Sequence, residues 1–172
     1  MSSWKHILVV VLATVAQTPS IAQTLLEDRE FTPLDKIKWG MKESEIVTIT
    51  QKLGLLASST DSTVVLRAPI LRFPARTEIQ FDSETGRMKL VQAKFDESTN
   101  ALADSVTNYL VHMLGRAPAR TVKEKSFIIF TLRMEWASWK LPSNGLVNLV
   151  TMKRGDSLLD ASIVLVSPTA GK

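Results

Sequence analysis

Ser126-Phe127-Ile128-Ile129-Phe130-Thr131-Leu132-Arg133-Met134-Glu135-Trp136-Ala137-Ser138-Trp139-Lys140-Leu141 is the stretch on which the fold turns. Ile128, Phe130, Leu132, Met134 and Trp136 take alternate positions, with Thr131, Arg133 and Glu135 between them. Successive side chains on a strand point to opposite faces, so this alternation predicts one long strand with its apolar phase toward a core. A bulge near Ala137 would exchange the two faces beyond it. Asn144-Gly145 follows as the strongest hairpin signal in the chain and leads into a strand over Leu146 to Lys153. Arg154-Gly155-Asp156 reads as the next turn, with a last strand over Leu158 to Val166.

Upstream, Leu102, Val106, Tyr109, Leu110 and Met113 form one stripe of a helix over Thr99 to Leu114, which Gly115 and Pro118 end. Thr63 to Ala68, Arg76 to Phe81 and Arg87 to Phe95 read as strands, the last two joined by Asp82-Ser83-Glu84-Thr85-Gly86. Before them, Trp39-Gly40-Met41 opens a short helix to about Leu53, with Ile46, Ile49 and Leu53 on one side and Gly54 as the stop. By propensity alone the β-branched run from Ile46 to Thr50 would suit a strand. Residues 23–37 mix charges with Leu25, Leu26, Phe31 and Leu34 without a period and read as a lead-in; residues 167–172 read as a frayed tail. The expected fold class is α+β: an antiparallel sheet with helices on one face, as two α-β-β-β units in tandem over residues 38–96 and 97–166.

Residues 1–22 have the layout of a cleavable signal peptide: Lys5 and His6, an apolar run from Ile7 to Ala16, a polar stretch with Pro19, and Ser20-Ile21-Ala22 before the cut. Cleavage there makes Gln23 the first residue; Thr14-Val15-Ala16 is a weaker site. The apolar run is ten residues long, half of the roughly 20 that a spanning helix needs. No later segment predicts a transmembrane span, and with no cysteine in the chain neither lipidation at a thiol nor a disulfide is available. Losing Lys5 leaves 20 basic residues against 17 acidic ones, a net charge of +3. The basic residues are scattered along the chain, so nucleic acid is not an expected partner.

Composition removes several chemistries. After processing His112 is the one histidine, so neither a His-rich nor a Cys-ligated metal site can be built, and no cofactor motif is present. Ser105, Asn108 and His112 fall opposite the apolar stripe of their helix, as solvent-facing residues do. No Gly-x-Ser-x-Gly elbow occurs, and Arg154-Gly155-Asp156, which spells an adhesion tripeptide, is ordinary turn chemistry. Glu78 and Glu135 are the only carboxylate pair worth weighing, since two carboxylates flanking a bond can cleave a glycoside. No catalytic residue is assigned. The expected binding surface is the open sheet face, carrying Arg76, Glu78, Arg133, Glu135 and Trp139. An exposed Trp beside Arg is a common hot-spot pairing, whereas Trp39 and Trp136 are expected in the core.

Trp39-Gly40-Met41, the charged helix start from Lys42 to Ile46, and the stop Leu53-Gly54 resemble a broad group of small exported bacterial domains. That group includes the β-lactamase inhibitory proteins and the small outer-membrane-assembly lipoproteins, whose shared unit is a helix followed by a three-stranded antiparallel sheet. Leu114-Gly115-Arg116-Ala117-Pro118 resembles the same helix end in the second unit. Lys42 stands where a serine cap is common, and Gly54 lacks the proline that usually follows. The resemblance implies a non-enzymatic module that binds another protein or an envelope component in the periplasm, or outside the cell if fully secreted. A small-ligand or lipid carrier is the alternative, and a carboxylate hydrolase a third.

Overall fold

The computed structural model of the protein describes residues 25–26, 28–60, 62–141 and 145–166. Residues 1–22, expected as a signal peptide, residues 167–172, expected as a tail, and Asn144 of the expected Asn-Gly turn lie outside these residues. The chain runs α1 (Glu43–Lys52), β1 (Leu56–Thr60), β2 (Thr63–Arg67), β3 (Ala75–Phe81), β4 (Met88–Phe95), α2 (Asn100–Leu114), β5 (Ala119–Ser126), β6 (Thr131–Lys140), β7 (Leu146–Arg154) and β8 (Ser157–Val166). All eight strands join one antiparallel sheet in the order β1-β2-β3-β4-β8-β7-β6-β5. The mixed α and antiparallel β class is as expected. Among the described residues α1 and α2, however, each precede four strands rather than three. The additional strands, β1 and β5, are the two edges of the sheet, and each pairs with a single neighbour. An edge strand is half-served by burial, so its sequence carries little alternation: Leu-Ala-Ser-Ser-Thr in β1, and Val122 as the only large apolar residue of β5.

Local chemistry accounts for α1 and α2. The Thr99 hydroxyl accepts from the Leu102 N–H at 3.1 Å to start α2, and Gly115 at φ 64° ends it with its N–H on the Val111 carbonyl. In α1 the Glu45 carboxylate accepts from the Lys42 N–H at 2.8 Å. The threonines that argue for a strand are absorbed: Thr48 and Thr50 each donate to the carbonyl four residues back, both at 2.8 Å. Gly40, at φ 83°, turns the chain into α1, and its carbonyl accepts from the Arg87 guanidinium at 2.8 Å. In the β3–β4 turn Asp82 accepts from the N–H groups of Glu84 and Thr85. The bond from the Thr85 backbone is the main reason its carboxyl lies below its ordinary range.

One face of the sheet is the core. The register aligns Val64, Ile79, Val91, Leu165, Val147 and Trp139 across six strands, and all are at most 3% exposed. They share a single cluster with Ile46 of α1 and with Leu102, Val106 and Leu110 of α2. Leu25, Leu26, Phe31, Leu34 and Ile37 belong to the same cluster, each at most 1% exposed. The lead-in is thus part of the core. Its missing period reflects an irregular path, with Phe31 stacked on Tyr109 at 5.6 Å and the Tyr109 hydroxyl donating to Asp28. Burial, reinforced by that carboxylate, pushes the Tyr109 phenol pKa upward.

Between β2 and β3, Leu71 and Arg72 hold φ of 49° and 71° in a two-residue turn closed by paired bonds between Ile70 and Phe73. Such turns favour Asn and Gly because L side chains resist positive φ. Arg72 is exposed, so Arg72→Gly is expected to raise stability by about 0.5–1 kcal/mol, read as a higher urea midpoint. A lower midpoint would mean that the Arg72 side chain itself holds the turn.

Candidate functional site

The expected binding residues divide between two faces. Arg76 and Glu78 lie on the face away from the core, paired to each other at 3.2 Å. With Gln92 and Lys94 they line a shallow depression of about 180 Å³, and Lys94 also meets Asp160 at 2.9 Å. Arg133, Glu135 and Trp139 do share one face of β6, as alternation requires, but it is the core face. Trp139 is 1% exposed, opposite Val147, with its indole N–H donating to the Arg116 carbonyl at 3.1 Å. The expectation of an exposed Trp139 is therefore corrected. No bulge interrupts β6, which pairs residue by residue with β7 from Leu132 to Lys140. What misled was the assumption that the longer apolar phase marks the core. Ile128, Phe130, Leu132, Met134 and Trp136 lie on or beyond the outer face, while Ala137, Trp139 and Leu141 are buried. Trp136 is half-buried with the Lys123 ammonium 5.6 Å from its ring centre, and Trp39 is half-buried against the core cluster.

Glu78 and Glu135 point to opposite sides of the sheet. Register places Glu78 level with Gln92, Val164, Asn148 and Ser138, while Glu135 pairs with Thr151 and the Arg120 guanidinium. Four strand spacings, roughly 19 Å, separate their strands, so these carboxylates cannot act on one bond. Ser105, Asn108 and His112 are exposed on α2. Among the described residues no three His, Asp or Glu side chains gather as a metal site would need, and no helix is long and apolar enough to cross a membrane. A cleft of about 810 Å³ opens beside the start of α1, with Lys42, Glu43, Ser44, Ser59 and Asp82 among its lining residues. It opens to solvent and mixes these polar groups with Val47 and Phe81, unlike the enclosed apolar chamber a lipid carrier would need.

The surface that stands out is the arm formed by β5 and β6. Every residue of β5 is exposed. Ladder pairing with β7 ends at Leu132, so residues 126–131 are held by β5–β6 pairing and by their own turn. There the Phe127 N–H donates to the Phe130 carbonyl at 2.7 Å, and the two rings stack at 4.8 Å. Ile128 and Ile129 form the tip, 105% and 81% exposed. Among the described residues the exposed large apolar side chains are Val122, Phe127, Ile128, Ile129 and Met134 on this arm, with Leu53 and Leu159 elsewhere. Exposed apolar surface is thus concentrated at one place, which singly scattered surface residues would not produce.

Cations surround the tip. The Lys125 ammonium sits 5.4 Å from the Phe127 ring centre and the Arg154 guanidinium 4.6 Å from that of Phe130. Lys123 pairs across to Met134, and Arg133 to Lys153. Basic residues scattered in sequence are thereby gathered by the sheet. Arg154-Gly155-Asp156 is the β7–β8 turn, as expected, with Gly155 at φ 57°. The signal that could have located the arm was Phe127-Ile128-Ile129-Phe130 itself, four large apolar residues preceded by alternating lysines at 123 and 125. No family model, curated protein or solved structure matches this chain.

Proposed function

We propose that the chain is an exported, non-enzymatic docking module of the bacterial envelope, and that it docks through the β5–β6 arm. The observation that carries this reading is the fully exposed Ile128-Ile129 tip on a hairpin rimmed by cations. Two β-branched residues at a turn have poor local propensity and gain nothing from burial in the isolated chain, so their stabilising contacts belong to something outside it. Export rests on the leader layout of residues 1–22. The two helix-plus-sheet halves, joined where β4 pairs β8, are in this reading tandem units with both helices over the core face. They resemble the exported inhibitor and assembly-lipoprotein group, enlarged by one edge strand per unit.

The test uses mature protein beginning at Gln23, sedimented with isolated bacterial envelope membranes. Ile128→Ser with Ile129→Ser is expected to lower binding at least tenfold while leaving the thermal midpoint within a few degrees, because neither side chain contributes to the core. Equal binding by both proteins would remove the arm as the docking site.

A further inference from the structure

We infer that the surface taken by the arm is an anionic lipid bilayer, with Ile128 and Ile129 entering its interface while the surrounding cations rest on phosphate headgroups; this rests on the docking reading above. Three features favour lipid over a protein partner. The tip is convex and built of Ile and Phe, whereas protein hot spots are enriched in Trp, Tyr and Arg. A convex aliphatic tip needs a pocket in a protein, but a bilayer interface closes around it without one.

The second feature is charge. Among the described residues the ion pairs are Arg29–Asp35, Arg76–Glu78, Lys94–Asp160 and Arg120–Glu135. Lys123, Lys125, Arg133, Lys153 and Arg154 are not among them, and three of these lie over aromatic rings. Glu124, Glu135 and Asp156 are the acidic residues nearest in sequence on these hairpins, and Glu135 is taken by Arg120, so against five cations the end of the arm is net basic. Cations beside an inserted apolar segment each strengthen attachment to an anionic leaflet about fivefold.

The third is depth. From Ile128 and Ile129 back to the row of Lys125, Leu132 and Arg154 is three residues, about 10 Å along a strand. That matches the interfacial depth of elements that lie in, rather than across, a membrane. The outer edge of β5 has no strand partner, and unpaired backbone groups are costly in hydrocarbon. Insertion therefore stops near the Lys125 row.

The experiment is co-sedimentation of mature protein with protein-free vesicles of phosphatidylcholine alone or with about one-third phosphatidylglycerol. The expected result is binding to the anionic vesicles, at least tenfold weaker binding to neutral ones, and weakening by added salt. Ile128→Ser with Ile129→Ser, and separately Lys125→Gln with Arg154→Gln, should each lose at least tenfold. An Ile129→Trp reporter should shift its emission to the blue and be quenched by shallowly brominated lipid. Absence of vesicle binding, or binding that the tip variant retains, overturns the inference. Arm-dependent binding to envelope membranes without binding to protein-free vesicles assigns the arm to a protein partner and leaves the docking reading standing. A dimer abolished by the tip variant, without vesicle binding, assigns it to a second copy and also overturns the lipid inference.

Discussion

Trp139→Ala is expected to destabilise the domain by about 3–5 kcal/mol, the usual cost of emptying a large aromatic site in a close-packed interior. Trp139 is among the largest fully buried side chains, stands between Ala137 and Leu141 on the core face, and ties that face to the segment after α2 through its bond to Arg116. Truncation leaves a cavity beside Val147 and deprives the Arg116 carbonyl of its donor. Trp136→Ala, three residues earlier on the same strand, should cost only about 1–2 kcal/mol, since a half-buried ring on the outer face leaves its site to water. Arg133→Ala should fall within about 0.5 kcal/mol of the parent. Urea unfolding distinguishes these: the midpoint drops steeply for Trp139, modestly for Trp136 and hardly for Arg133, with unchanged slope. Equal losses at both tryptophans would contradict the face assignment of β6.

A chain beginning at Lys38 is expected not to fold, whereas one beginning at Gln23 should fold cooperatively. The shorter chain lacks Leu25, Leu26, Phe31, Leu34 and Ile37, all at most 1% exposed in the full structure. Each fully buried side chain of this size contributes about 1.5–3 kcal/mol. Five together reach roughly 8–15 kcal/mol, as much as the whole net stability of an ordinary domain. The deletion also removes Asp28, the acceptor of the Tyr109 hydroxyl, and the Phe31 carbonyl that accepts from the Leu71 N–H at 2.8 Å. That second bond ties the strained turn at Leu71 and Arg72 to the lead-in. Loss of near-ultraviolet dichroism and of a cooperative urea transition is the expected readout. A shorter chain that kept both would show that the lead-in is an accessory.

Both expectations turn on how a hydrophobic pattern relates to burial. The α2 stripe was legible because a helix fifteen residues long repeats its pattern several times, and Leu102, Val106 and Leu110 are indeed buried. The same holds for β2 to β4 and for β7 and β8, whose inner positions alternate cleanly over five or more residues. The lead-in was not legible, because apolar residues on an irregular path have no period to detect. The edge strands escaped for the opposite reason: with little to bury, they need no pattern.

The sequence by itself determined α1, α2 and the six inner strands as element types, the antiparallel hairpin order around the Gly86 and Gly155 turns, and the division of β6 into two alternating sets, because these depend on backbone geometry and near neighbours. Only the tertiary structure decided which set of β6 faces the core. That choice depends on where α2 ends its cover of the sheet and on how far the β5–β6 hairpin runs past β7, both long-range facts. A periodic apolar pattern shows that a face prefers to leave water, but not whether the domain or a partner takes it. In β6 the core takes Ala137 and Trp139, and the apolar phase that runs up to Phe130 is left at the surface, where it adjoins the exposed tip.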